Sequence, residues 1–119
     1  MYEVNRSLAI IRPKAPFFDW LAHACGEDID HLTLDALRTD CTTLLIPAFD
    51  EPEAGVRFID NRFETLFGME LASWVEDQAL WPANRSLKLF WEWFDVELHT
   101  MVLDLVEEEI QNTRVSSTG

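Results

Sequence analysis

The chain's 119 residues suffice for one domain and leave no room for two. Nine Lys/Arg stand against 22 Asp/Glu, a net charge of -13, and such a surface repels the phosphates of nucleic acid and of anionic membranes. No stretch approaches the roughly 20 apolar residues that a membrane helix needs, so neither nucleic acid nor membrane is expected as a partner.

Residues 1–6 are polar and expected to be loose, as are 107–119, which begin with three consecutive Glu. The run S-L-A-I-I at 7–11 reads as a short buried strand bounded by Arg12 and Pro13. Pro16 suits the first turn of a helix over 16–25. Phe17, Phe18, Trp20, Leu21, Ala24 and Cys25 recur there at helical spacing, with Gly26 as the stop. Residues 27–40 are acidic and turn-rich, with a short helix over 34–38 capped by Thr33. C-T-T-L-L-I-P predicts a second strand at 42–46.

A helix over 51–67 follows, with Asp50 and Glu53 as an acidic capping box and Pro52 in its first turn. Val56, Ile59, Phe63 and Leu66 form its apolar stripe, and Gly68 ends it. Leu71, Trp74, Leu80 and Trp81 are expected to anchor a wrapping segment that Pro82 closes. Ser86 caps a further helix over 86–93. Beyond it two readings stand. Periodicity allows one long helix through Leu105. A stable sheet, however, needs a third strand, which places one at 96–104 with Phe94, Val96, Leu98 and Val102 facing inward. The fold class expected is α+β, a single domain of three short strands with three main helices over at least one face. A right-handed crossover is expected wherever neighbouring strands are parallel.

Eight Phe and five Trp supply bulky core material, each fully buried ring contributing about 2–3 kcal/mol. Cys25 and Cys41 form no C-x-x-C pair and read as reduced core or near-core residues. With no long apolar run at the N-terminus, a cytoplasmic address is expected.

The sequence holds no phosphate-cradling Gly-rich loop, nucleophile elbow, H-E-x-x-H or zinc-type Cys/His cluster. No cofactor is implied. Asp95, Glu97 and His99 are the most suggestive cluster. They point to one side of a strand, and Asp95 and His99 remain neighbours on a helix. Such a set suits a divalent metal or an acid–base pair, while the plainer reading is a solvated face. Asp19 and His23 form a second pair at helical spacing, with the same plain alternative. Arg12 and Lys14, at a strand end beside a helix start, suit an anionic ligand. Their plain alternative is pairing with nearby acids. Trp93 falls off the helical face of Phe90, Trp91 and Phe94, which makes it the candidate exposed ring for a partner contact.

The segment N-R-S-L-A-I-I-R-P-K-A-P-F-F-D-W-L (5–21) and the later L-W-P-A-N-R-S-L-K-L-F-W-E-W-F-D-V-E-L-H-T-M-V-L-D-L (80–105) resemble a family of short, acidic, uncharacterised bacterial proteins. No activity is assigned to that family, so it carries no residue roles over. The resemblance implies a bacterial cytosolic protein and leans toward the strand reading near the C-terminus.

The functional expectation is a non-catalytic binding or regulatory module for a protein partner, with enzymatic activity disfavoured by the missing motifs. The alternatives are a small enzyme or metal protein built on Asp95, Glu97 and His99, and an acidic mimic of nucleic acid.

Overall fold

The computed structural model describes residues 1–115, so the last part of the expected frayed terminus, 116–119, lies outside the described residues. The strands are β1 (Tyr2–Glu3), β2 (Arg6–Pro13), β3 (Thr42–Pro47), β4 (Phe94–His99) and β5 (Leu103–Asp104). The helices are α1 (Ala15–Cys25), α2 (Leu34–Leu37), α3 (Pro52–Asp60), α4 (Phe63–Ala72) and α5 (Leu87–Trp93). The fold is α+β. β2 is the centre of a three-stranded sheet ordered β3-β2-β4, and it runs antiparallel to both neighbours. With antiparallel neighbours throughout, the crossover rule for parallel pairs is not called upon.

The alternation of the strand sequences decides which face is covered. Ser7, Ala9, Ile11 and Pro13 are buried on β2. Their cross-strand neighbours on the same face are Ile46 and Leu44 on one side, and Phe94, Val96 and Leu98 on the other. Against this face pack Phe17 and Leu21 of α1, Ile59 of α3, Phe67 and Leu71 of α4 and Phe90 of α5. Four rings tie the layers together. Phe94 lies 5.2 Å from both Phe17 and Phe90 and 5.6 Å from Phe67, centroid to centroid, in tilted and edge-on geometries. The sheet's other face carries Leu8, Ile10 and Arg12 half-buried and Leu45, Glu97 and His99 exposed.

The helix–strand boundary near residue 94 resolves in favour of the strand. The Ser86 hydroxyl accepts from the Leu89 amide at 3.1 Å to start α5, and Phe94 adopts extended backbone (φ -136°, ψ 144°). The strand is displaced from its expected 96–104. β4 ends at His99, and Leu103–Asp104 pairs instead with Tyr2–Glu3 as a separate antiparallel ribbon. The N-terminal residues expected to be loose are thereby tied down in part, with the Val4 amide donating to the Val102 carbonyl at 3.0 Å.

The expected helix over 51–67 is two helices, α3 and α4, broken at Asn61 and Arg62. Arg62 leaves helical geometry at φ -126°, ψ 11°, and its guanidinium covers the Phe58 ring at 3.7 Å. Gly68 continues α4 because it keeps negative φ; among the described residues only Gly26 takes positive φ. The acidic capping box does not form. Glu51 is the N-cap of α3 and makes no side-chain cap bond. Nor is Val56 buried. α3 turns Gly55 inward, where an added Cβ would lie 2.9 Å from Leu98 Cδ1 and 3.0 Å from Phe49 Cε1. The missing side chain lets the helix approach β4 closely. The wrapping segment is fastened by indoles, Trp81 Nε1 donating to the Val75 carbonyl at 2.8 Å and Trp20 Nε1 to the Leu80 carbonyl at 2.9 Å. Leu71 is buried, whereas Trp74 and Leu80 are exposed. Cys25 and Cys41 are free thiols, half-buried. Among the described residues no helix is long and apolar enough to cross a membrane.

Candidate functional site

Antiparallel pairing sets Arg12 opposite Asp95, Ile10 opposite Glu97 and Leu8 opposite His99. This register gathers most of the charged candidates on the uncovered face of the sheet. Arg12 donates to Glu97 Oε2 through Nη2 at 2.8 Å and through Nε at 3.1 Å. His99 Nε2 lies 2.8 Å from the other carboxylate oxygen. Asp95 sits between Lys14 Nζ at 3.6 Å and Arg38 Nη2 at 3.4 Å.

The result is a network of two carboxylates bracketed by three bases and an imidazole. The Arg12 hydrogen bonds, and after them His99, hold the Glu97 carboxyl below its ordinary range, and the same bonds raise Arg12. An acid stabilised in its ionised form is a weaker general base than an ordinary carboxylate. Its two oxygens are both engaged. Among the described residues, no group of three or more His, Cys, Asp or Glu is placed to hold a metal ion. Asp95, Glu97 and His99 do share a face, but Asp95 pairs with Lys14 and Arg38 while Glu97 pairs with Arg12 and His99.

The anion-binding reading of Arg12 and Lys14 also meets occupied donors. Arg12 Nη1 donates to the Arg38 carbonyl at 2.9 Å. Lys14 Nζ donates to the Trp91 carbonyl at 2.8 Å, and its backbone amide donates to the Trp93 carbonyl at the same distance. Lys14 therefore closes the C-terminal end of α5, where orphan carbonyls favour a cation. Arg38 is the member that sequence reasoning missed. It donates to the Pro13 carbonyl at 2.8 Å, and no local pattern marks a contact with a residue 57 positions away.

Trp93 is not the exposed ring. It is half-buried, with centroids 5.5 Å from Phe67, 6.0 Å from Trp20 and 6.1 Å from Phe17. The helical projection that put it outside fails because α5 stops there, and the residue joins the α1–α4 seam. The Asp19–His23 pair is likewise local, with His23 Nδ1 2.8 Å from the Asp19 backbone carbonyl of its own helix.

A cavity of about 440 Å³ opens on the helical side beside the start of β3. Glu70 of α4, Asp40, Cys41, Thr42 and Trp74 contribute to its lining, together with apolar walls that include Leu32 and Leu37. Burial pushes the Glu70 carboxyl above its ordinary range, partly offset by the Thr42 hydroxyl. Burial also raises the Cys41 thiol, against the pull of Arg12. Glu70 Oε1 is shielded from solvent and meets no donor among the described residues. The available signal was Glu70's position four residues after Leu66 and three after Phe67, on the apolar stripe of α4. Ending that helix at Gly68 hid it.

No family model matches the chain, and neither does any curated protein or solved structure.

Proposed function

We propose that the chain is a non-catalytic binding module for a protein partner in the bacterial cytosol. The observation that carries this reading is the β1–β5 ribbon with the segment beyond it. Met1, Met101, Leu105 and Ile110 are exposed there by 73%, 72%, 75% and 56%. Apolar side chains gathered in this way support an interaction surface. Val4, Val106 and Ile110 line a groove whose rim is acidic, with Asp104, Glu107 and Glu108. The Tyr2 hydroxyl donates to Glu107 Oε2 at 2.7 Å, which holds the segment over the ribbon. Apolar contacts ringed by carboxylates suit a basic, amphipathic segment of the partner. The reading draws further support from the outer-face network, whose ionised groups are engaged with one another.

The test is affinity capture from the source organism with the full chain and with a Leu105→Asp/Ile110→Asp variant. A specific protein is expected with the parent, lost with the variant and released by salt. Capture of nothing above background, or equal capture by both proteins, refutes the reading.

A further inference from the structure

The cavity beside β3 has a one-sided chemistry. Two carboxyl groups, Glu70 and Asp40, and the indole of Trp74 share it with apolar walls, and none of its lining residues is a lysine, arginine or histidine. Arg12 and Arg38 act on the Cys41 thiol from outside this lining, Arg12 also by a hydrogen bond, and their other donors are directed at Glu97, Asp95 and two backbone carbonyls. The cavity thus presents negative charge and apolar surface together, in a chain of net charge -13. Its volume, about 440 Å³, falls in the range of small-molecule pockets, roughly 300–1,000 Å³.

Glu70 Oε1 gives the site its polarity. The carboxyl already takes one hydrogen bond from the Thr42 side chain, but its Oε1 is shielded from solvent and lacks a protein donor among the described residues, and an acceptor in that state destabilises the fold until an N–H or O–H reaches it. Trp74 is 41% exposed, and an indole face attracts a cation. An acceptor without a donor, an available indole and aliphatic walls are complementary to one kind of ligand, a cation on an apolar body. From these groups we infer that the cavity binds a small organic monoamine. Its ammonium group sits on Glu70 and its apolar body lies against Leu32, Leu37 and Trp74. This goes beyond the protein-binding reading, since it concerns a different face and a different class of ligand.

Isothermal titration of the full chain with phenethylammonium, phenethyl alcohol and hydrocinnamate at mildly alkaline pH tests the inference. Saturable binding of the amine is expected, with the alcohol weaker by about tenfold or more, the scale of one charged hydrogen bond, and no binding of the carboxylate. Glu70→Gln is expected to weaken the amine by a similar factor of about ten while melting no lower than the parent. Trp74→Ala is expected to weaken it about fivefold. Lys88→Ala, on the exposed side of α5, leaves binding unchanged. Three results overturn the inference. They are no saturable amine binding by the folded parent, equal affinity for amine and alcohol, or parent-like amine affinity in Glu70→Gln. None of them bears on capture of a protein by the ribbon, so the two readings stand or fall separately.

Discussion

Glu70 and Glu97 are displaced from ordinary carboxylate behaviour in opposite directions, and the two shifts predict opposite pH signatures. Burial raises Glu70, so the folded chain holds that proton more tightly than the unfolded chain does. Its contribution to stability is complete below the ordinary carboxylate range and is lost as pH rises through the raised pKa. Glu70→Gln is therefore expected to match the parent at acid pH and to exceed it at neutral pH by about 1–2 kcal/mol. Melts of both proteins across the pH range check this. Glu97 is lowered by Arg12, so its contribution is present above the ordinary carboxylate range and is lost as pH falls through the lowered pKa. Arg12→Ala is expected to flatten the acid limb of the stability profile. A variant with the same acid limb as the parent would show that the ion pair contributes nothing.

At the level of elements, the caps and the aromatic seam decide what holds. Ser86→Ala removes the acceptor for the Leu89 amide and is expected to cost about 1 kcal/mol. Phe67 is fully buried among Phe90, Phe94 and Trp93, and Phe67→Ala is expected to cost about 3–5 kcal/mol. Urea titrations read both changes. These elements also show which parts of the fold the sequence made legible. The Ser86 cap, the Thr33 cap and the alternation of β2 lie within a few residues of what they specify, and the strands and helices appear close to where those signals put them. The division of α3 from α4 at Asn61 and Arg62 has no local mark in the sequence, and neither do the tertiary contacts of α3: Asp60 accepts from Trp91 Nε1 at 2.7 Å, and Gly55 packs against Leu98 and Phe49. A continuous stripe through Val56 carries no sign of either contact. The candidate site divides the same way. The alternation of Asp95, Glu97 and His99 was readable, whereas Arg38 and Glu70 join their clusters through packing between distant segments.

Over the whole molecule, the radius of gyration is 15.8 Å and the longest dimension 44 Å, against roughly 13.5 Å expected for the radius of a compact chain of this length. The core cluster lies between Ala9 and Phe94, and the segment after Asp104 through residue 115 is exposed. Truncation after Asp104 is therefore expected to leave unfolding cooperative and stability within about 1 kcal/mol of the parent, as differential scanning calorimetry would show. The same cut removes Leu105 and Ile110, so it should abolish partner capture without unfolding the domain.

The order of the sheet has a consequence for biosynthesis. The middle strand is made before both of its neighbours, and one of them, Phe94–His99, follows only after the helices that lie between them in the chain. Until that last strand is synthesised, one flank of β2 offers bare amides and carbonyls to any extended peptide nearby. Nascent chains halted before Phe94 should accordingly remain protease-sensitive and recruit chaperones, with compaction arriving in one late step as β4 slots in.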